Sequence, residues 1–382
     1  MKLPILFSFA VLLLSVAHAQ DRPLIDPTGE LPEALTGAQM AQLVKSVDRG
    51  LIALRQMQER DGSFQGPDYA KTGLTSLVVM AYLSRGHKPG EGPYGSSLNK
   101  AINFVLSQQQ ESGLFSAEEI DYERINIEMA PFSYRIAAKS YNHAICMLML
   151  GEVYGLTGDE KAFRIRNAIE KGLKFTIQLW DIRKGIDLED GGFRYTQPWE
   201  HGGEGDMSVT GWHAASLRSI RNAGFDVPQS VMDRIARYVV RNQNSDGGFG
   251  YASTDDYSTI TLTAAGTLCL ALAGKHEDPE TLKAARILSR FNADNRESFR
   301  SGGGRRWPYY ACYYVTQASI QVGGQVWVTC MGETAEYLLR NQQSNGLWRP
   351  DGSAALYGQT YSTSMAIIAL TPSLQLLPIY QR

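Results

Sequence analysis

The chain has 382 residues, of which 43% are hydrophobic, and its 37 basic and 39 acidic residues leave a formal net charge of −2. The composition has no basic excess that would attract nucleic acid or anionic lipid surfaces, so we do not expect nucleic acid as a partner. The length suffices for two ordinary domains or for one large repetitive domain.

The N-terminus has the features of a secretory signal peptide. Lys2 precedes the apolar run ILFSFAVLLL, and the sequence AHA at 17–19 matches the small-x-small rule for cleavage. This run is too short to span a membrane, and no later stretch is long and apolar enough to do so. We therefore expect residues 1–19 to be removed. The mature protein would begin near Gln20, be periplasmic or secreted, and have no transmembrane segment.

A short motif recurs along the chain: a Gln, a few polar residues, a Gly, and an aromatic residue two positions on. Its clearest example is RNQNSDGGFGYA at 241–252. Similar copies lie at 55–66, 106–117 and 340–351, a fifth lies at 188–198 behind Gln178, and a degenerate sixth without the Gln lies at 302–310. The aromatic residues of the six copies are Phe64, Phe115, Phe193, Phe249, Trp307 and Trp348. Separations of roughly 40 to 80 residues leave room for two helices and their loops.

Two kinds of helix are predicted, one on each side of every copy. A stretch such as IARYVVRNQ at 235–243 precedes the motif and has one apolar and one charged face, as expected of an outer helix. A stretch such as TITLTAAGTLCLALAG at 259–274 follows it and is apolar nearly all round, as expected of a buried inner helix. Helical pairs of this kind must stack on their neighbours to cover their apolar faces.

Six such pairs predict an all-α fold, a single (α/α)6 toroid with an inner and an outer ring of six helices each. We assign residues 20–45 to an N-terminal segment that leads into the first helix, and residues 46–382 to the toroid. We interpret Gln243, Asp246, Gly247 and Phe249 as a structural staple between helices, in which the Gly permits a tight turn.

The motif resembles the QW repeat of squalene–hopene cyclases and the related repeat of protein prenyltransferase β subunits. The resemblance covers most of the mature chain. It implies that the Gln caps an outer helix, that its amide stacks on the aromatic residue, and that adjacent helices are thereby tied together. The stretch GDMSVTGWHAASLRSIRNAG at 205–224 and the C-terminal YSTSMAIIALTPSLQLLPIYQR also resemble a group of exported bacterial proteins that carry these repeats.

The catalytic motifs of these families have no counterpart in this sequence. It contains no DxDD acid motif of the squalene–hopene type, and Cys269 and Cys312 lack the Asp and His partners of a prenyltransferase zinc site. The Cys-Gly-Glu-Gln run of thioester-containing toroids is absent, as are CxxC and HExxH. We therefore predict neither a metal nor a cofactor.

Four cysteines raise the question of disulfides, which an exported protein can form. Cys146 and Cys269 lie in apolar helical stretches, and we interpret them as buried thiols. Cys312 and Cys330 are the pair that we expect if the chain has any disulfide.

The starts of the inner helices carry the residues from which a site could be built. These helix ends rim the central cavity of a toroid, and their dipoles favour anionic groups there. The predicted cavity-lining residues are Tyr69, Tyr141, Trp212, Tyr257, Tyr309, Tyr310, Tyr313 and Tyr361. The predicted catalytic residues are Asp206, Asp255, Asp256, His143 and His213. Each also has a structural interpretation, the aspartates as helix N-caps and the histidines as hydrogen-bonded core residues.

An aromatic wall suits two classes of ligand, apolar lipids and sugar chains. Polyprenyl or polycyclic lipids are held by burial, and aromatic faces stabilise cations formed from them. Sugar chains stack on the same rings, with carboxylates supplying acid and base.

Our preferred hypothesis is a module that binds an apolar, isoprenoid-like ligand. The alternatives are a terpene-cyclase-like enzyme with Asp255 or Asp256 as the acid, a carbohydrate-active hydrolase or lyase that uses cavity-rim carboxylates, and a structural interaction module. Lipid and glycan ligands therefore both stay open at this point, and the sequence leaves the oligomeric state undetermined.

Overall fold

The structure is a computed structural model that describes residues 23–116, 130–180, 190–195, 205–252, 257–300 and 305–380, without the side chains of 130–136, Trp180 and Tyr380. The described residues form twelve α-helices and no β-strand. The helices are α1 (Gly37–Arg55), α2 (Lys71–Ser84), α3 (Gly95–Ser107), α4 (Ala130–Val153), α5 (Asp159–Trp180), α6 (Met207–Asn222), α7 (Gln229–Arg241), α8 (Ile260–Leu272), α9 (Pro279–Leu288), α10 (Pro308–Val322), α11 (Gly324–Arg340) and α12 (Gly358–Leu370).

The even-numbered helices form a closed inner ring. Each of α2, α4, α6, α8 and α10 packs against the next even-numbered helix, and α12 packs back against α2. The odd-numbered helices surround this ring, each lying against one or two inner helices. The predicted all-α toroid is thus confirmed. Nowhere in the described ranges does a helix combine the length and apolarity that crossing a membrane requires.

Burial follows the two hydrophobic patterns of the sequence. In α8, every residue from Thr261 to Leu272 is buried. In α7, Val231, Ile235 and Val239 are buried at helical spacing, whereas Arg237 on the other face is exposed. An inner helix is covered by its neighbours in the ring and by the outer layer, and it therefore needs an apolar surface nearly all round.

The glutamines of four motif copies join each loop to the next outer helix. Each Nε2 donates one hydrogen bond to the carbonyl of the motif Gly four residues on, at 2.8–3.2 Å. Each Nε2 donates a second hydrogen bond, of 2.8–2.9 Å, to a backbone carbonyl of the next outer helix. The donor and acceptor pairs are Gln58 and Ser97, Gln109 and Ala168, Gln243 and Glu280, and Gln342 and Ser46. Because Ser46 belongs to α1, Gln342 links the last repeat to the first and helps to close the ring.

An ion pair joins the loop of the fifth copy to the next outer helix, since Asp190 pairs with Arg234 of α7. In the segment that precedes the sixth copy, Asp294 lies 2.5 Å from Arg340 of α11.

The sixth copy is also shifted in register. Arg300 and Arg306 form the backbone bridge that the Gln and the aromatic residue form in the clean copies. Trp307, predicted as the aromatic residue of this copy, is therefore displaced by one residue to the N-terminus of α10.

The motif aromatics are anchored to the inner helices through their backbone N–H groups. In four copies the acceptor is a threonine hydroxyl, at 2.9–3.2 Å. The donor and acceptor pairs are Phe64 and Thr75, Phe193 and Thr210, Phe249 and Thr263, and Trp348 and Thr363. In the second copy the acceptor is His143, whose Nδ1 lies 3.3 Å from the Phe115 nitrogen. His143 therefore occupies the place that a threonine holds in the other four copies.

The first helix starts within the predicted N-terminal segment. Helix α1 begins at Gly37, behind an N-cap formed by Thr36, so the toroid includes part of the range 20–45. The residues before the helix pack against the start of α11, where the Gln325 N–H donates to the carbonyl of Pro23 over 2.9 Å.

The four cysteines all lie in the described ranges, and each is free and buried. The disulfide that we expected between Cys312 and Cys330, if any formed, is therefore absent. Cys330 Sγ instead donates to the Leu288 carbonyl over 3.4 Å. Burial raises the pKa of Cys146 and Cys269 to about 12, so both thiols are protonated at neutral pH, consistent with their interpretation as core residues.

Replacing Gln243 by Ala tests the role of these hydrogen bonds. We expect the free energy of unfolding to fall by about 1–3 kcal/mol, because two hydrogen bonds are lost and two carbonyls lose their donor. Urea denaturation followed by circular dichroism measures the change. The control is Gln229→Ala on the exposed face of α7, which should alter stability by less than about 0.5 kcal/mol. Equal losses in the two variants would contradict the proposed role of Gln243.

Candidate functional site

A cavity of about 370 Å³ opens between the inner helices at the end where the motif loops enter them. Its aromatic lining residues are Tyr141, Tyr195, Trp212, Tyr251, Trp307, Tyr310, Tyr357 and Tyr361. Residues in and just before α2, and in α4, contribute a smaller aliphatic part of the wall, namely Ala70, Gly73, Leu74, Leu77, Ala137, Ala138 and Ile145. The cavity is therefore mainly apolar, and its polar groups are tyrosine hydroxyls, Asn142, Ser208 and Arg305.

The floor of the cavity is built by aromatic residues that connect α10 to α6. Trp212 stacks on Tyr313 with ring centroids 4.7 Å apart and an angle of 6° between the planes. The Trp212 Nε1–H donates to the Tyr310 hydroxyl over 3.1 Å, and the Tyr314 hydroxyl donates to the Ser208 carbonyl over 3.0 Å. Below the floor lies a small space of about 10 Å³ that is lined by Tyr313 and by Ile379 of the C-terminal segment, among others.

Asp206 is the N-cap of α6 and is completely buried. Its Oδ1 accepts hydrogen bonds from the backbone N–H groups of Ser208 and Val209, at 2.8 and 3.1 Å, and from the Ser208 hydroxyl at 2.6 Å. The predicted N-cap role is thus present. Asp206 does not line the cavity itself, because Ser208 stands between its carboxylate and the cavity wall.

The carboxylate of Asp206 nevertheless influences the tyrosines of the wall. Burial raises the pKa of Tyr141, Tyr195, Tyr251 and Tyr310, and the negative charge of Asp206 raises each of them further. These phenols therefore stay neutral over the physiological pH range. They act as hydrogen-bonding groups and not as phenolate bases.

His143 lies in the core and does not line the cavity. Its Nδ1 accepts from the Phe115 backbone, so the proton of the neutral ring resides on Nε2 and is donated to the Thr176 hydroxyl, 2.8 Å away. Burial lowers the pKa of His143 to about 3, and the neutral form is therefore maintained.

His213 has a comparable structural environment. Its ring stacks on Phe193 with centroids 4.1 Å apart and an angle of 7° between the planes. Its Nε2 lies 3.2 Å from the hydroxyl of Ser140, which itself donates to the Arg194 carbonyl. The structure therefore places both predicted histidines in the packing between helices and away from the cavity wall.

The remaining predicted catalytic residues, Asp255 and Asp256, lie outside the described residues. Tyr257, which follows them, is described, is 48% exposed and does not line the cavity.

Four of the eight predicted cavity residues line the wall, namely Tyr141, Trp212, Tyr310 and Tyr361. Tyr69 lies beside the wall, with its ring 6.3 Å from that of Tyr357, and Tyr313 lies beneath the floor. Tyr309 turns away from the cavity and donates its hydroxyl proton to the Arg349 carbonyl.

The sequence interpretation missed Tyr195 and Tyr251 as wall residues. A positional signal was available, because each stands two residues after the aromatic residue of its motif, Phe193 or Phe249. In an extended segment, residues two apart point to the same side. Trp307 was assigned to the staple instead of the wall, because its shift by one residue is visible only in the backbone bridge of Arg300 with Arg306.

The fold is shared with solved proteins of different activities. A variant of the type II terpene cyclase MstE from Scytonema, in complex with its product merosterolic acid A, is 13% identical, with a TM-score of 0.55 over 90% of this chain and 100% of that chain. An inactive variant of an alpha-1,6-mannanase from Salegentibacter, in complex with alpha-1,6-mannotriose, is 8% identical, with a TM-score of 0.59 over 87% of this chain and 99% of that chain. An unsaturated glucuronyl hydrolase specific for heparin is 11% identical, with a TM-score of 0.57 over 88% and 98%. At these identities the similarity establishes the fold alone.

A comparison of the sequence with curated proteins found no significant match. The family model of the prenyltransferase alpha-alpha toroid domain, in contrast, matches residues 95–373, which is most of the chain. The closed double ring of α1 to α12 agrees with that description. The chain belongs to the prenyltransferase alpha-alpha toroid domain family.

Proposed function

We propose that this protein binds an apolar, isoprenoid-like ligand in the central cavity. The observation that carries the proposal is the wall, in which eight aromatic rings and a stretch of small aliphatic residues surround about 370 Å³. Burial of apolar surface against such a wall provides most of the affinity for a ligand of this kind. The terpene cyclase MstE, whose fold is similar, has been solved in complex with the substrate geranylgeranyl dihydroxybenzoate.

A sugar-processing site would need a different arrangement of charges. Glycoside hydrolysis commonly uses two carboxyl groups about 5–10 Å apart that face the scissile bond. Of the residues described here, none with a carboxylate lines the cavity, and Asp206 is separated from it by Ser208. The described wall therefore favours an apolar ligand over a glycan. Acid catalysis by Asp255 or Asp256 stays a prediction, because both lie beyond the described residues.

The second part of the proposal is export. The signal sequence at 1–19 supports it, with cleavage before Gln20. Intact-mass measurement of the protein in the periplasmic or culture fraction should give a chain that starts at Gln20. Recovery of the uncleaved chain from the cytoplasm alone would contradict this part of the proposal.

Ligand binding is tested by native mass spectrometry and lipid extraction of the purified protein, followed by titration with farnesol. Trp212 and Trp307 lie in the wall, so a bound ligand should change the intrinsic fluorescence saturably, with a stoichiometry near one per chain. Leu77→Trp adds an indole to the cavity wall and should abolish binding. Ile52→Trp adds the same group to an exposed site on α1 and should leave binding unchanged.

The apolar-ligand hypothesis is wrong if farnesol and apolar isoprenoids of other lengths all fail to bind the folded protein. Equal binding to the wild type and to Leu77→Trp would mean that the ligand does not occupy the cavity.

A further inference from the structure

The C-terminal segment of the chain, residues 371–380, packs across the inner ring of helices. It contains two short 3₁₀ turns, Thr371–Leu374 and Pro378–Tyr380. The first turn contacts α2, α10 and α12, and the second contacts α6 and α10. Between and within them, Leu377 and Ile379 are both buried. The segment is therefore part of the packed structure and contacts the ring on several sides.

The small space beneath the cavity floor ends at this segment. It is lined by Ile379 together with Met80, Leu148, Gln317 and Ile368. The last four residues lie in the C-terminal halves of α2, α4, α10 and α12, whereas the cavity opens where the motif loops enter the inner helices. The small space therefore lies deeper inside the ring than the cavity, and Ile379 closes it from the side of the C-terminal segment.

Three side chains form the boundary between the cavity and this space. Leu77 of α2, Ile145 of α4 and Trp212 of α6 line both of them. Trp212 is fixed by its stacking on Tyr313 and by its hydrogen bond to Tyr310. Leu77 and Ile145 are aliphatic and buried. At these two positions a single side chain separates the cavity from the space behind it.

We propose that the depth of the ligand site is set in two steps, first by Leu77, Ile145 and Trp212 at the floor and then by Ile379 of the C-terminal segment. The inference rests on the proposed function, because it assumes an apolar ligand in the cavity. It adds the residues that select the length of that ligand. The apolar end of the ligand points to the floor, since Leu77 and Ile145 present an aliphatic surface there.

The volume of the cavity indicates the length of chain that it holds. A dry cavity of about 150 Å³ accommodates benzene, which corresponds to about 25 Å³ for each carbon atom. At that ratio, the cavity of about 370 Å³ holds about 15 non-hydrogen atoms. Farnesol, which has a chain of about this size, therefore reaches the floor. Geranylgeraniol exceeds the depth of the cavity by one isoprene unit.

Shortening two side chains would make room for that additional unit. Leu77→Ala and Ile379→Ala each delete three carbon atoms, which together release about 150 Å³ on the two sides of the small space. This volume accommodates about six carbon atoms, slightly more than one isoprene unit. Leu77→Ala opens the floor, whereas Ile379→Ala deepens the space behind it, so neither substitution alone provides the full length.

The experiment measures the affinities of farnesol and geranylgeraniol for the folded mature protein by tryptophan fluorescence. The ratio of the two affinities is compared between variants, because a general disturbance of the cavity affects both ligands. In Leu77→Ala/Ile379→Ala the ratio should shift toward geranylgeraniol by at least about tenfold, since each buried CH₂ group changes affinity by about fourfold in a well-packed site. Leu77→Ala alone should give a smaller shift. Ile379→Ala alone should shift the ratio by less than about twofold, because the floor still separates the two spaces.

Leu376→Ala provides the matched control, because Leu376 belongs to the same segment but is exposed. Added to Leu77→Ala, it should not change the ratio further. Circular dichroism verifies that each variant is folded. If Leu77→Ala/Ile379→Ala does not fold, Leu77→Val/Ile379→Ala takes its place, and the expected shift is then at least about fivefold, because four carbon atoms are removed instead of six.

The results distinguish this inference from the proposed function. If neither alcohol binds the wild type, the proposed function fails. If both bind but the folded double variant has the same ratio as the wild type, the floor does not limit the ligand and the inference is wrong. Equal ratios for Ile379→Ala and Leu376→Ala in the Leu77→Ala background would show that the C-terminal segment does not set the depth.

Discussion

Trp348→Ala should lower the free energy of unfolding by about 3–5 kcal/mol, the range found when a large buried aromatic side chain is removed. Trp348 is completely buried, and its Nε1–H donates to the Leu338 carbonyl over 2.7 Å. A Cβ atom added to Gly50 of α1 would come within 2.9 Å of its ring, so the last motif copy packs directly on the first helix. The variant would leave a void at the point where the ring closes. Urea denaturation measures the loss.

Trp307→Ala provides the matched control for this result. Trp307 is half-buried and belongs to the cavity wall, with its ring 6.1–6.4 Å from those of Tyr310, Tyr357 and Tyr361. Its removal should cost less stability than that of Trp348 but should weaken the binding of farnesol. If Trp307→Ala were the more destabilising variant, our distinction between staple and wall aromatics would be wrong.

Glu152→Gln should make the protein more stable above pH 7. Glu152 lies in the last turn of α4, is 5% exposed, and accepts a hydrogen bond from Ser219 Oγ over 2.7 Å. Burial raises its pKa from 4.5 to about 7, although hydrogen bonds from Ser219 and from the backbone of Ile379 oppose the rise. The folded protein therefore retains the proton of Glu152 up to about pH 7, whereas the unfolded chain loses it near pH 4.5.

This difference fixes the sign of the pH dependence. The contribution of Glu152 to stability is fully present below pH 4.5 and is lost as the pH rises to about 7. The loss amounts to about 3 kcal/mol. Urea denaturation of the wild type and of Glu152→Gln from pH 4 to 8.5 measures this loss. The unfolding free energy of the wild type should fall relative to that of the variant as the pH rises across this window. A difference that is independent of pH would show that Glu152 is ionised in the fold.

The sequence by itself determined the all-α class, the alternation of two kinds of helix and the toroid. These follow from hydrophobic periodicity and from a recurrent loop motif, and both are local properties of the chain. The same applies to Asp206 as an N-cap, because capping depends on residues two and three positions away in the sequence. The buried thiols of Cys146 and Cys269 were predicted for a related reason, since they lie in stretches that are apolar all round.

The tertiary structure alone decided which residues face the cavity. Inner helices are apolar on nearly every side, so their periodicity does not reveal which face is turned to the lumen and which to the neighbouring helix. For this reason Tyr309 and Tyr313, which share α10 with Tyr310, were predicted to line the wall and do not. Trp307 lines the wall because its loop is shifted by one residue relative to the other motif copies, and this shift is visible only in the structure.

The roles of the two histidines were likewise beyond the reach of sequence patterns. His143 accepts from Phe115, which is 28 positions away, and His213 stacks on Phe193 of a preceding loop. Such contacts arise only when the ring of helices closes. The ring also brings Tyr141 of α4 to Ser208 at the start of α6, and Tyr195 to Tyr251 of the next motif loop, with hydroxyl oxygens 2.7 Å apart in each pair. The sequence thus specified the architecture, whereas the chemistry of the cavity was decided by contacts between repeats.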